Sequence, residues 1–135
     1  MIRGLGHVAY NVKDMDKSLD FYCNMLGFKF LFQLMDENGK PWINYIKVAE
    51  HQFLELFFNG IEAKEKNTSD AGYNHLCLEV DEIHKIADEL KRKGIVFDQE
   101  IKQGVDLNYQ CWIKDPDGNR IELMQFHPDA PQLKG

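Results

Sequence analysis

Gly6-His7-Val8-Ala9-Tyr10-Asn11-Val12 returns in the second half of the chain as Asn74-His75-Leu76-Cys77-Leu78-Glu79-Val80. Phe53-Leu54-Glu55-Leu56-Phe57 returns as Arg120-Ile121-Glu122-Leu123-Met124. His7 and His75 stand 68 residues apart; Glu55 and Glu122, like Gly27 and Gly94, stand 67 apart. A duplicated unit with a one-residue length change ahead of the glycine accounts for all three offsets. Each copy carries one histidine and one glutamate at matched places. A metal site on a pseudo-two-fold axis would require that arrangement.

Residues outside these stretches set the frame. At 135 residues and 44% hydrophobic, with nine Phe and two Trp, the chain suits a single domain spanning 1–135 with a proper core. Its net charge of −6 argues against a nucleic-acid partner, which needs a basic surface to displace counterions. No run approaches the roughly 20 apolar residues of a membrane span, and the first residues lack a signal-peptide core. Cys23, Cys77 and Cys111 are odd in number and form no C-x-x-C pair. They read as reduced thiols of a cytoplasmic protein.

Alternation over 3–12 predicts a strand, with His7, Ala9 and Asn11 on one face and Val8, Tyr10 and Val12 on the other. Asp14 is placed to cap a helix running to about Met25, with Met15, Leu19, Tyr22 and Leu26 at helical spacing and Gly27 closing it. Strands are expected at 28–35, 42–48 and 52–58, the first two joined by a turn over 36–41. This first module, about 3–59, is β-α-β-β-β. The polar stretch 60–72 reads as a linker. The second module, about 73–126, repeats the order: a strand at 73–80, a helix capped by Asp81 and ended by Gly94, and strands at 95–101, 108–114 and 119–125. Asp115-Pro116-Asp117-Gly118 predicts a hairpin turn. The tail from His127 is expected to be irregular.

Side-chain alternation sets Glu55 between Phe53 and Phe57. An ionised carboxylate on an apolar face is costly unless it is paired or binds a metal. His7, Glu55, His75 and Glu122 together offer nitrogen and oxygen ligands suited to one divalent ion: Zn, Ni, Co, Fe or Mn. His51, His84 and His127 lack counterparts in the other half and read as surface residues. Phe28, Phe30 and Phe32 alternate as core residues would. Trp42, Tyr45 and Trp112 suit a pocket lining or an aromatic core.

At these residues the chain resembles the vicinal oxygen chelate superfamily, and within it glyoxalase I (lactoylglutathione lyase). The likeness covers nearly all of 4–126. Its carriers are Gly6-His7-Val8, Ser18-Leu19-Asp20-Phe21-Tyr22 with Leu26-Gly27-Phe28, Leu54-Glu55-Leu56, His75-Leu76, and Asp115 through Leu123. The resemblance implies an α+β fold: two βαβββ modules forming a cupped, eight-stranded mixed sheet around the metal, usually in a homodimer. Extradiol dioxygenases and fosfomycin-resistance thiol transferases use three protein ligands, whereas glyoxalase I-like members use His, Glu, His and Glu, as at His7, Glu55, His75 and Glu122. Epimerases of the methylmalonyl-CoA type commonly place Gln where this chain has Glu55. One departure concerns the substrate. Glyoxalase I typically has an Arg four residues after the first His, helping to hold glutathione, and Asn11 stands there. Asn59, four residues after the first Glu, is kept.

The implied chemistry is proton transfer next to a carbonyl of a small-molecule substrate, such as a thiol adduct of a 2-oxoaldehyde, with Glu122 as general base and Glu55 its symmetric partner. Two other readings use the same scaffold: an epimerase or other isomerase, and a non-catalytic protein that sequesters antibiotics of the bleomycin type.

Overall fold

His7–Asn11 forms β1, and its side chains alternate as expected, with Tyr10 buried and His7, Ala9 and Asn11 exposed. In this computed structural model, which describes residues 1–62, 64, 65, 67 and 69–135, two compact units follow one another, 1–65 and 66–135. Ala63, Lys66 and Thr68 of the expected linker lie outside the described residues.

The first unit comprises β1, α1 (Met15–Leu19), β2 (Lys29–Met35), β3 (Pro41–Ala49) and β4 (Gln52–Phe57). The second comprises β5 (Leu76–Glu79), α2 (Ile83–Arg92), β6 (Gln99–Gln103), β7 (Tyr109–Lys114) and β8 (Arg120–Gln125). Each unit is therefore βαβββ, and the chain is α+β. The eight strands hydrogen-bond as two mixed sheets of four, ordered β1-β4-β3-β2 and β5-β8-β7-β6, rather than as one ladder. In each sheet the first strand runs parallel to the last, and the remaining pairs are antiparallel.

One face of each sheet is core. Leu54 and Leu56 of β4 and Ile46 of β3 are buried, as are Tyr22 and Phe21 from the helical segment, and Tyr22 stacks on Tyr10 at 6.3 Å. In the second unit Ile121 and Leu123 of β8, Cys111 and Ile113 of β7, and Ile83, Ala87 and Leu90 of α2 are buried. The opposite faces carry the histidines and glutamates.

Three local expectations are corrected. Asp81 does not cap α2. Glu82 occupies the cap position without a side-chain bond, and the Ile83 N–H donates instead to Oε1 of Gln125 at 2.9 Å. Phe30 and Phe32 are 44% and 46% exposed rather than core, because β2 is the outer strand of its sheet and Phe32 lies on the face opposite the buried Leu54 and Leu56. Phe28 is half-buried against Tyr22. His127 is half-buried too: its N–H donates to Oδ1 of the fully buried Asn108 at 2.9 Å, which fastens the tail. Pro131–Lys134 is a short 3-10 turn. The helix after Asp14 is α-helical to Leu19 and π-helical over Asp20–Met25, and Asp14 accepts the Lys17 N–H as its cap. Leu26 N–H bonds to the Phe21 carbonyl, five residues back, before Gly27 turns the chain at φ +80°.

Three hairpins share one hydrogen-bond pattern. Asp36, Gly104 and Asp115 each donate their N–H to the carbonyl four residues ahead and accept the N–H three residues ahead. That closure puts the fourth residue in the left-handed region: Gly39 at φ +73°, Leu107 at +73° and Gly118 at +82°. Asp36 and Asp115 also accept backbone N–H groups of their own turns through Oδ1. Leu107 meets the same demand with a side chain that disfavours it.

Leu107→Gly is expected to raise stability by about 0.5–1 kcal/mol, the relief of left-handed strain exceeding the entropy of an added glycine. A higher urea midpoint at unchanged slope is the readout. A lower midpoint would mean that Leu107 contributes packing worth more than the strain. Burial, reinforced by the Glu100 charge, pushes the Cys111 thiol up to about 11. The thiol is therefore protonated below that value, and only about one in a thousand is thiolate at pH 8. Alkylation at pH 8 should spare Cys111 in the native protein and label it in guanidinium; native labelling would contradict its packing.

Candidate active site

Parallel pairing places each glutamate one neighbour away from its histidine's strand. Glu55 lies opposite Ala9 of β1, two residues past His7. Glu122 lies opposite Cys77 of β5, again two residues past its histidine, although His75 itself stands just before that strand. Side chains two apart share a face, so each His points to the same side as its Glu. His7 Nδ1 comes within 3.4 Å of Glu55 Oε1, and His75 Nε2 within 3.0 Å of Glu122 Oε2. The structure thus brings the four residues together as two pairs, one in each unit. Among the described residues, neither unit gathers three or more His, Cys, Asp or Glu side chains into a metal site.

The rows across the two sheets correspond. In the first, Ala9, Glu55, Tyr45 and Phe32 lie side by side; in the second, Cys77, Glu122, Trp112 and Gln99 do. Glu55 is only 8% exposed. Its apolar flank is completed by Phe32, stacked on the Tyr45 ring at 4.5 Å. Tyr45 lies opposite Glu55 across the β3–β4 ladder, and the interaction of its hydroxyl with that carboxylate is the main reason the Tyr45 pKa is raised.

The second row is more polar. Asn74 Oδ1 lies 2.6 Å from His75 Nδ1 and also accepts from Arg120 at 3.3 Å. Arg120 lies over the Trp112 ring at 4.4 Å, and His75 meets Trp112 edge-on at 4.6 Å. The Trp112 N–H donates to Gln110 Oε1 at 2.9 Å. The Cys77 thiol is pushed up to about 12, first by desolvation, although the residue keeps an exposed portion, and then by the charge and hydrogen bond of Glu122.

The pairing of Asn74 with His75 has a chemical consequence. Arg120 can only donate, so the shared Oδ1 is an acceptor, and His75 Nδ1 carries the proton. In the neutral ring, Nε2 then holds a lone pair, 3.0 Å from a carboxylate oxygen. Two acceptors at that distance repel unless a cation lies between them. A second ring proton would serve, and so would a metal ion. A histidine anchored through its other nitrogen is the usual form of a metal ligand. The nitrogen and carboxylate donors, with no thiolate required, fit a divalent ion of the Zn, Ni, Co, Fe or Mn kind.

The substrate candidates stand at one end of the first sheet. Asn11 is exposed at the end of β1, opposite Phe57. Asn59 is exposed beyond β4 with φ +63°. The next residue, Gly60, donates to the Val12 carbonyl at 2.9 Å, and a Cβ there would stand 2.8–2.9 Å from the backbone of Asn11 and Val12. That close approach sets the Asn59–Gly60 backbone against Asn11–Val12.

Sequence reasoning missed Tyr45 as the partner of Glu55 and Asn74 as the anchor of His75. The signals were present: Tyr45 and Trp112 repeat at the glutamates' own offset, and Asn74 adjoins His75. His51 and His84 are exposed and lie outside both pairs.

No helix among the described residues is long and apolar enough to cross a membrane. Residues 4–123 match the family model of the glyoxalase/bleomycin resistance protein/dioxygenase superfamily. A probable lactoylglutathione lyase of Synechocystis sp. is 32% identical over 125 residues, which cover 88% of this chain and 92% of the relative. A probable lactoylglutathione lyase of Vibrio cholerae is 30% identical over 136 residues, covering 96% and 95%. The crystal structure of a glyoxalase family protein from Enterococcus faecalis superposes with a TM-score of 0.78 at 25% identity, covering 90% of this chain and 97% of that one. Paired βαβββ units, matched His–Glu pairs and these likenesses agree: the chain belongs to the glyoxalase/bleomycin resistance protein/dioxygenase superfamily.

Proposed function

We propose that the protein is a metal-dependent lyase or isomerase of the glyoxalase I type, with His7, Glu55, His75 and Glu122 as the ligands offered to a divalent ion. The observation that carries this reading is the opposition of His75 Nε2 and Glu122 Oε2 at 3.0 Å while Nδ1 is committed to Asn74. His7 and Glu55 repeat the pair. Relatives at about 30% identity named as lactoylglutathione lyases point to the same reaction class.

Glu122 is the general base. It takes a proton from the carbon next to a carbonyl and returns it to the former carbonyl carbon, while the substrate's hydroxyl proton passes to the former carbonyl oxygen, a role worth about 10²–10⁴-fold for a positioned base. His75, held by Asn74, limits the orientations open to that carboxylate. A bound divalent ion supplies stabilisation of the negative charge that develops on adjacent substrate oxygens.

The substrate is a small molecule with vicinal oxygens, such as the thiol adduct of a 2-oxoaldehyde. Asn11 offers an amide where a guanidinium would clamp a carboxylate in two places, so the thiol partner is one that does not depend on that clamp.

Glu122→Gln should lower turnover of methylglyoxal–thiol adducts at least about 100-fold while Ni²⁺ remains bound. Unchanged turnover would remove Glu122 from the role of base. Chelation should abolish activity, and Ni, Zn, Co or Mn should restore it to different extents. A protein that stays metal-free under titration with Ni²⁺ and Zn²⁺ would overturn the lyase reading in favour of a binding protein.

A further inference from the structure

The second unit carries a guanidinium on its site face that the first unit lacks. Arg120 opens β8 two residues before Glu122, so the two side chains share a face. That guanidinium is bracketed: its central carbon lies over the Trp112 ring, 4.4 Å from the centroid, and one N–H donates to Asn74 Oδ1 at 3.3 Å. At the offsets of the repeat, Phe53 stands where the second unit has Arg120, and Gly6 where it has Asn74, so the first unit builds neither half of the bracket. The bracket leaves most of the fork unused. A guanidinium has five N–H donors. Apart from the one given to Asn74, those of Arg120 have no partner among the described residues, and no carboxylate there lies within ion-pair distance of it. Lys114, opposite Arg120 across the β7–β8 ladder, is paired with Asp98 at 3.3 Å. Like charges opposite each other in a sheet are unfavourable, and Asp98 relieves only the lysine.

A stacked guanidinium with an open fork is prepared for a planar anion, because its orientation is set before the anion arrives. With Lys114 committed to Asp98, Arg120 offers a single charge, which suits a carboxylate rather than a phosphate dianion. Two residues along a strand span about 7 Å, so an anion on Arg120 stands a few bonds from a carbon addressed by Glu122. We infer that Arg120 is a specificity-determining residue that binds a carboxylate of the substrate, and that the thiol half of the adduct is a small acid. This inference rests on the proposed role of Glu122 and names the substrate class for that site. Asn11 is an uncharged amide in the first unit and Arg120 a guanidinium in the second. Anion recognition thereby falls to the unit that holds the base.

The test compares two methylglyoxal adducts that differ in charge, formed with β-mercaptopropionate and with β-mercaptopropionamide, on the Ni²⁺-loaded full chain. The acid adduct should show a kcat/KM about 10-fold or more above that of the amide adduct, the size of one hydrogen bond to a charged group. Arg120→Met, which keeps an unbranched chain over Trp112, should bring that ratio within about twofold of unity, since the charged partner is gone. Arg120→Gln serves the same comparison if the Met variant does not fold. A merely structural role would not move the ratio, because loosening of Asn74 and His75 would slow both adducts alike. A parent ratio near unity, or equal losses for both adducts in the variant, would overturn the inference. A second measurement needs no turnover. In a Trp42→Phe background Trp112 is the one remaining tryptophan, and its fluorescence reports titration with the S-methyl ethers of the two thiols. The acid should bind about 10-fold tighter than the amide, and the difference should vanish in Arg120→Met. If neither adduct is turned over and this difference is present, the lyase reading fails and the carboxylate site stands. If neither is turned over and the difference is absent, both fail. If both adducts are turned over without preference, only the inference is lost.

Discussion

In each unit, the pairing of the first strand with the last brings residues nearly 50 positions apart within reach of each other on one face. His7 and Glu55 meet only because β1 lies parallel to β4, and His75 and Glu122 only because β5 lies parallel to β8. Parallel neighbours cannot be joined by a tight hairpin, so a helix and two antiparallel strands fill the interval and supply the cover for the core face. The same pairing buries Leu54 and Leu56 on one side and leaves Glu55 on the other. A one-residue slip would exchange those faces and put the carboxylate in the core. Register is thus held by the hydrophobic face, and the site inherits its geometry from it.

On the faces so exposed, the electrostatic problem is an excess of acceptors. Two histidines and two carboxylates have few donors among them. The first unit sets a tyrosine across the ladder from its carboxylate. The second fixes a histidine tautomer through Asn74 and so leaves a lone pair aimed at a carboxylate. The two units meet it by different local means. Identical halves would treat both glutamates alike; the divergence at Tyr45 and Trp112, and at Ala9 and Cys77, makes different roles possible.

Much of this was legible in the residue order. The repeat, the element sequence and the exposed face of β1 follow from a period of two and a fixed offset; that the four His and Glu side chains stand as two pairs, one in each unit, came from the strand pairing. Phe30 and Phe32 misled, because an irregularity between them puts Phe30 in the row of Ile46 and Leu54 and Phe32 in that of Tyr45 and Glu55, and on the outer strand β2 both remain exposed. The α2 cap misled as well. An acidic residue before a helix is a local signal, and Gln125, 42 residues further along the chain, took its place. Tyr45 and Trp112 could be narrowed only to pocket or core, since their hydrogen bonds depend on neighbours from other strands.

The sequence by itself determined the duplication and the α+β order, because these depend on residue types and their spacing along one chain. Tertiary structure decided which groups face each other: His75 Nε2 rather than Nδ1 toward Glu122, Tyr45 opposite Glu55, and the Trp112 N–H away to Gln110. Those choices arise from rotamers and ring tautomers settled by cross-strand neighbours, and no linear spacing encodes which nitrogen of a ring carries its proton.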